Sequence, residues 1–350
     1  MVQNKSFIFK NPPVGVPKAG VDLAVEDRAF DLEAAAPAGG ITLKNFYASL
    51  DPYQRARMRD PKIKSYFPAL QLDQPIDNSV VGKVLKSDNE KFKPGDLVVG
   101  MLPIQEYTAL PADKVQSVRH IQNPHGLDAA NFIGALGMPG LTAFSSFYEI
   151  GQPKKGETIF ISAASGAVGQ IVGQLAKHEG LKVVGSVGDD KKLDFITNEL
   201  NFDAGFNYKK EKTSEALARL APQGIDIYYE NVGGETLEAA LEAMNNRGRI
   251  IACGMISQYN LQPAERYGVS NLFHIVSKRI VMRGFIVSDE EMGPKYAVEH
   301  QKKLQQWIAD GSFKVKLHVD NGIDSAPEAF LGMLSGKNFG KAVLKIADLD

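Results

Sequence analysis

Cysteine is almost missing from this chain: Cys253 is the only one in 350 residues. That excludes an intrachain disulfide and any zinc or iron–sulfur centre built from several thiolates. A surplus of charge is missing too, with 40 Lys and Arg against 41 Asp and Glu and a formal net charge of -1. Without a basic excess to neutralise a run of phosphates, nucleic acid is not an expected partner. No apolar run approaches the roughly 18 residues of a membrane-spanning helix, so no membrane partner is expected either. The first fifteen residues hold no signal-peptide core, since Lys5, Lys10, Pro12 and Pro13 interrupt them. The closing Asp348-Leu349-Asp350 is neither a peroxisomal nor a prenylation signal. A single cysteine and no address point to the cytoplasm. Internal repeats, low-complexity tracts and long charge runs are absent as well, which excludes a solenoid or a disordered tail.

What remains is an ordinary globular composition, 44% hydrophobic and 23% charged, long enough for two domains. The first hundred residues are rich in short β-like runs punctuated by turn residues, as at 41–50 after Gly39-Gly40 and 97–102 after Pro94-Gly95-Asp96. From about Gly156 apolar runs of strand length alternate with helix-like segments, the pattern of βαβ units in a parallel sheet. Strands are expected at 158–162, 182–187, 204–207, 225–230, 249–253 and 280–287. Helices are expected at 167–178, 191–200, 214–221, 236–244 and 290–309, the last stopped by Gly311. The tail, with segments 315–319, 326–334 and 342–346, returns to a mixed pattern and is expected to rejoin the first domain.

One stretch carries chemistry. The run 158–162 leads through Ala163-Ala164-Ser165-Gly166-Ala167-Val168-Gly169 into an apolar helical pattern. Aligned on the dinucleotide-binding fingerprint, Ala164, Gly166 and Gly169 occupy the three key positions. Gly166 lets backbone approach a pyrophosphate, Gly169 lets the helix pack against the strand, and the helix N-terminal amides face the anion. Ala164 in place of the first glycine implies a slightly wider turn. Two rival motifs fail. Ser165 lacks the flanking glycines of a nucleophile elbow, and 332–337 is one residue short of a Walker A loop. The second strand ends in Ser186-Val187-Gly188, with no acid at the position that grips a ribose 2′-hydroxyl. Lys191, Lys192 and the 206–209 segment supply donors for a 2′-phosphate, so NADPH/NADP+ is the expected cofactor, although Asp189 and Asp190 follow closely.

Oxidising or reducing an alcohol usually needs a Lewis acid or a proton relay at oxygen. Cys253 has no partner cysteine and the six histidines show no close ligand pairing, so no zinc or other metal is expected. Conjugate hydride addition to an activated double bond is easier. The carbonyl becomes an enolate that needs only hydrogen-bond donors, and a phenol near the nicotinamide supplies one. The tyrosines are therefore the residues to examine.

Seven segments, in order, carry a resemblance over nearly the whole chain: Leu50-Asp51-Pro52-Tyr53, Gly137-Met138-Pro139-Gly140-Leu141-Thr142-Ala143, the 163–170 loop, Phe206-Asn207-Tyr208-Lys209, Glu230-Asn231-Val232-Gly233-Gly234-Glu235, Gly254-Met255-Ile256-Ser257-Gln258-Tyr259-Asn260 and Gly336-Lys337-Asn338-Phe339-Gly340-Lys341. They resemble the zinc-independent medium-chain dehydrogenase/reductases, specifically the double-bond reductases related to leukotriene B4 dehydrogenase/prostaglandin reductase and plant 2-alkenal reductases. The resemblance implies an α/β chain: a GroES-like, partly open β-barrel catalytic domain from 1–130 and 315–350, and a Rossmann NADP-binding domain from 131–314, with the active site between them. It implies cofactor contacts from Ala164, Gly166, Ala167, Val168, Gly169 and Gly188, with Lys192 and Tyr208 at the 2′-phosphate and Asn231 and Asn338 toward the nicotinamide half and pyrophosphate. Tyr259 matches the tyrosine beside the nicotinamide and ribose, a donor to the enolate or a link in a proton relay, and Tyr53 matches one facing the substrate.

Two departures from the wider pattern stand out: Asn78-Ser79-Val80-Val81-Gly82 replaces the Gly-His-Glu motif of zinc-dependent relatives, and Gln54 stands where Met is usual. The expected activity is NADPH-dependent reduction of the carbon–carbon double bond of α,β-unsaturated aldehydes or ketones. Quinone reduction, dehydrogenation of a 15-hydroxy lipid and NADPH binding without turnover are the alternatives. A homodimer joined through the nucleotide domain, with 280–287 at its edge, is the expected assembly.

Overall fold

Short apolar strands alternating with helices build one of the two compact units into which the chain divides. The structure, a computed structural model, describes residues 1–349. One unit comprises Met1–Gly137, Leu317–Asn338 and the residues from 342 onward; the other comprises Met138–Lys316 and Phe339–Lys341.

The second unit is organised around a six-stranded parallel sheet. Across it run Ala204–Asn207, Lys182–Val187, Thr158–Ile161, Ile225–Glu230, Met244–Ala252 and Val281–Gly284, so the spatial order is third, second, first, fourth, fifth, sixth. This is a doubly wound sheet, and its order reverses between Thr158–Ile161 and Ile225–Glu230, which opens a crevice at the carboxyl ends of those strands. The two strands are almost wholly buried because helices cover both faces of such a sheet, which is why they are mostly apolar, with Asp226 and the terminal Glu230 as the charged exceptions. The helix Gly169–His178 turns Ile171, Val172, Leu175 and Ala176 inward, and Gly234–Ala243 does the same with Leu237, Ala240 and Leu241.

Several bounds differ from the sequence expectation for identifiable reasons. The segment expected as one helix at 191–200 is an α-helix, Asp190–Asp194, continued by a wider π turn, Phe195–Glu199, which buries Phe195 and Ile196. The strand expected at 249 begins at Met244, because the polar Asn245 and Arg247 stay in the strand beyond a register shift and Asn245 Nδ2 donates to Asp226 Oδ1. The edge strand is only Val281–Gly284, ended by a turn in which Ile286 N–H donates to the Asp289 carboxylate. Two helices, Met138–Ser146 and Phe273–Ser277, gave no sequence signal. The first opens on Met138-Pro139-Gly140, where two helix-disfavouring residues mask it.

In the first unit, Ile41–Ser49 is the central strand of a seven-stranded sheet. It pairs antiparallel with Asp77–Ser87 on one side and with Tyr107–Leu110 and Lys341–Lys345 on the other. Register shifts at Thr42/Leu43 and Asn45/Tyr47 bend this strand as bulges do. Phe7, Phe9, Leu43, Val80, Phe330 and Leu344 lie in its core. The tail segment 326–334 is a helix, Ala326–Leu334, with Pro327 in its first turn, where a missing N–H costs nothing. After Ser49 the chain makes one short helix, Tyr53–Arg57.

Candidate active site

The loop after Thr158–Ile161 is shaped by one strained residue. Ala163, not Ala164, takes the left-handed conformation, at φ 49°, and Ala164 N–H then donates to Ser186 O at 2.9 Å, tying the loop to the neighbouring strand. Gly166 N–H closes the turn on Ala163 O at 3.0 Å. A Cβ on Gly169 would lie 2.5 Å from Ala163 O and 2.8 Å from Ala164 Cα, so only glycine lets the helix start this close to the turn. Among the described residues, no backbone acceptor takes the N–H of Ala167, Val168 or Gly169, and no side chain caps the helix. A row of amide donors at a helix N-terminus is what an anionic pyrophosphate requires.

At the end of Lys182–Val187, Gly188 lies against Tyr208, whose hydroxyl would be 3.0 Å from a Cβ there. Lys192, four residues on, is buried, its Nζ 3.6 Å from the Asp189 carboxylate. Burial lowers the Lys192 pKa from the usual lysine range, against the opposing pull of Asp189. Asp189 is itself engaged as the helix N-cap, accepting from Lys192 N–H at 2.9 Å, and Asp190 pairs with Lys210 and Asn207. Both acids that complicated the cofactor reading thus have local partners.

Across the crevice, Ser162 and Asn231 join the two strand ends. Asn231 Nδ2 donates to Ser162 O at 2.7 Å and Asn231 N–H to Ser162 Oγ at 2.9 Å. Glu230, fully buried, anchors the turn beyond: its Oε1 accepts from Val232 N–H, Gly233 N–H and the Tyr228 hydroxyl, and its backbone oxygen accepts from Cys253 N–H and Gly254 N–H. Burial raises its pKa, opposed by those donors. The loop carrying Tyr259 is laced to the same turn, since Ile256 N–H donates to Asn231 O and Ser257 donates twice to Val232 O. Tyr259 Oη accepts from Met255 N–H at 3.2 Å, and a Cβ on Gly254 would lie 3.0 Å from it. That bond uses an oxygen lone pair and not the hydroxyl hydrogen.

The second unit therefore brings Ala164, Gly166, Ala167, Val168, Gly169, Gly188, Lys192, Tyr208, Asn231 and Tyr259 to the carboxyl ends of its sheet. Tyr53 and Asn338 belong to the first unit, Asn338 in a bend after Ala326–Leu334. There the Tyr53 hydroxyl donates to Asn78 Oδ1 at 2.9 Å, and its ring tilts against Phe67 at 5.5 Å. Ser162, Glu230 and Asn78 are the organising residues that the sequence reading gave no role. An acid ending an apolar strand just before Gly233-Gly234 is the one signal that pointed to such a residue. Among the described residues no group of three or more His, Cys, Asp or Glu side chains is arranged to hold a metal ion, and no helix is long and apolar enough to cross a membrane.

Comparison with known proteins accords with this geometry. Residues 5–118 match the family model for the N-terminal domain of oxidoreductase, and residues 167–302 that for zinc-binding dehydrogenase. The chain is 61% identical to the NADP-dependent oxidoreductase RED1 of Cochliobolus heterostrophus, over 100% of this chain and 99% of that one. It is 44% identical to the NADP(+)-dependent 2-alkenal reductase of Nicotiana tabacum, over 99% and 98%. The crystal structure of CurA from Vibrio vulnificus in complex with NADPH superposes with a TM-score of 0.89 at 34% identity, covering 99% of this chain and 100% of that one. A doubly wound nucleotide domain, a GroES-like partner domain and relatives of this similarity place the chain in the zinc-independent medium-chain dehydrogenase/reductase family of NADP-dependent oxidoreductases.

Proposed function

We propose that this protein reduces the carbon–carbon double bond of α,β-unsaturated aldehydes and ketones. The observation that carries the reading is Tyr259, a phenol on a loop hydrogen-bonded to Asn231 at the switch point of the sheet, with its oxygen accepting from a backbone amide. The likeness to a 2-alkenal reductase along the whole chain supports it.

The residues present fit an NADP cofactor, because the close approach at Gly169 opens a helix whose first amides have no backbone acceptor or side-chain cap among the described residues, and the second strand ends at Gly188 against Tyr208, with the buried Lys192 four residues on. Ala164, Gly166, Ala167, Val168 and Gly169 would hold the pyrophosphate, with Gly188, Lys192 and Tyr208 at the 2′-phosphate and Asn231 and Tyr259 toward the nicotinamide half. Bound NADPH supplies a hydride for the β-carbon. As the β-carbon gains that electron pair, the double-bond pair moves toward the carbonyl and negative charge gathers on its oxygen. Tyr259 donates a hydrogen bond to that oxygen, and a proton taken up at the α-carbon completes the saturated product. Losing one such donor costs about 100- to 1000-fold in turnover.

The test offers a 2-alkenal, an enone and a quinone with NADPH and identifies the products by mass spectrometry. Saturated aldehyde and ketone support the reading. Hydroquinone as the only product would overturn it in favour of quinone reduction, and cofactor binding without any product would favour a binding protein.

The assembly proposed is a homodimer. Val281–Gly284 has a neighbour on one side only, and Val281, Phe273 and Val276 are 56%, 74% and 67% exposed. An open edge beside an apolar patch is suited to pairing with a second copy. Sedimentation should give a dimer, and Val281→Lys should shift it toward monomer; a monomeric parent would contradict this.

A further inference from the structure

Two successive peptide groups in the turn after Ile225–Glu230 are each held at both edges. The group joining Asn231 to Val232 directs its N–H to Glu230 Oε1 at 2.6 Å, while its oxygen accepts from Ile256 N–H at 3.1 Å. The group joining Val232 to Gly233 directs its N–H to the same Oε1 at 2.8 Å, and its oxygen accepts from Ser257 N–H at 3.1 Å and Ser257 Oγ at 2.6 Å. One carboxylate oxygen thus holds one edge of both planes, and the loop that carries Tyr259 is bonded to the other. A peptide group is planar and trans, so an N–H fixed in direction fixes the carbonyl opposite.

The turn's own residues leave that direction open. Gly233 and Gly234 lie in the left-handed region, at φ 76° and 58°, and glycine changes conformation at little steric cost. Both are packed against the loop: a Cβ on Gly233 would meet Met255 Cβ at 2.8 Å, and one on Gly234 would meet Gln258 Nε2 at 2.8 Å. Glu230, by contrast, is firmly placed. It ends a buried strand, is 0% exposed, and its Oε1 also accepts from the Tyr228 hydroxyl at 2.8 Å. Its backbone oxygen accepts from Cys253 N–H and Gly254 N–H, where the loop begins. Oε2 takes none of these donors. What the turn requires at position 230 is therefore one acceptor oxygen on a side chain of this length.

We propose that Glu230 is a positioning residue for Tyr259: its Oε1 sets the two peptide planes to which the 256–257 backbone is bonded, and so holds the Tyr259 loop at the switch point of the sheet. The tie stands on the hydrogen bonds alone. Its effect on turnover rests on the double-bond-reductase reading, in which Tyr259 donates to the substrate carbonyl.

Three substitutions separate reach from charge. Glu230→Gln keeps an oxygen at the same reach without the charge, Glu230→Asp keeps the charge but withdraws it by one carbon–carbon bond, about 1.5 Å, and Glu230→Met removes both. Hydrogen exchange resolved to single amides by mass spectrometry reads the tie in the full chain. The amides of Ile256 and Ser257 should exchange about tenfold faster in Glu230→Asp and Glu230→Met, as for the loss of one hydrogen bond. They should stay near the parental rate in Glu230→Gln, with the helix Gly293–Ala309 unchanged in all three. Glu230→Asp carries the test even where Glu230→Met fails to fold. Turnover of a 2-alkenal with NADPH reads the consequence: kcat should fall about tenfold in Glu230→Asp, recover in Glu230→Gln, and fall little further when Glu230→Asp is added to Tyr259→Phe. Parental exchange at Ile256 and Ser257 in Glu230→Asp, a Glu230→Gln variant as impaired as Glu230→Asp, or losses that add in full in the Tyr259→Phe background would overturn the proposal. If the parent consumes no 2-alkenal, the double-bond reading fails instead, and the exchange pattern by itself decides the part of Glu230.

Discussion

Asn231 grips Ser162 twice, side chain to backbone oxygen at 2.7 Å and backbone N–H to hydroxyl at 2.9 Å, and so closes the switch point of the sheet. Asn231→Ala removes the first bond and leaves Ser162 O without that donor. The change should cost about 1 kcal/mol of stability and raise the KM for NADPH several-fold, read by thermal melting and kinetics. Wild-type stability together with wild-type KM would show that the tie is incidental.

The two loop glycines differ in what surrounds them. A methyl at Gly169 meets backbone at 2.5 and 2.8 Å, whereas one at Gly166 meets only Ala163 O, at 3.1 Å. Gly169→Ala should therefore destabilise by about 1–3 kcal/mol and abolish tight NADPH binding. Gly166→Ala should melt near the parent and lose affinity chiefly by crowding the pyrophosphate. Equal melting of the two variants would contradict the packing account.

Lys192 should decide between the phosphorylated and plain cofactors. Lys192→Ala is expected to cut the preference for NADPH over NADH by about 10- to 100-fold, the worth of a hydrogen bond to a charged group. Its lowered pKa gives the sign of the pH effect: the ammonium binds the 2′-phosphate when protonated, so NADPH affinity falls as pH rises, earlier than for an exposed lysine. Lys192→Arg, which stays charged, should flatten that fall. A pH profile unchanged by the substitution would count against the role.

Cys253 should be inert. The residue is half-buried, and desolvation of its thiol pushes it up to about 12, against the help of Tyr229. A thiol-reactive chromophore at pH 8 should label almost none of the native protein and one group per chain after denaturation. Rapid native labelling would show an open strand end.

Much of this molecule was legible in its sequence, because a parallel sheet covered on both faces writes its strands as short, mostly apolar runs between helical segments. The runs at 182–187, 204–207 and 225–230 coincide with strands residue for residue. What stayed hidden depends on partners distant in sequence. Met244–Ala252 looks polar at its start because Asn245 bonds Asp226 and not a core. Likewise, the left-handed turn at Ala163 goes with a bond from Ala164 N–H to Ser186 O on the adjacent strand, more than twenty residues away. Tyr53 and Tyr259 could be named from sequence, but the partners of their hydroxyls, Asn78 Oδ1 and Met255 N–H, could not, since both are set by the fold.

The central claim is conjugate transfer of hydride, and a labelled cofactor reads it most directly. NADPH carrying deuterium in the transferred position is incubated with the enzyme and a 2-alkenal, and the product is analysed by NMR and mass spectrometry. The account predicts a saturated aldehyde with one deuterium on the β-carbon, and a rate reduced about 100- to 1000-fold in Tyr259→Phe. Deuterium on the former carbonyl carbon of an allylic alcohol would contradict it.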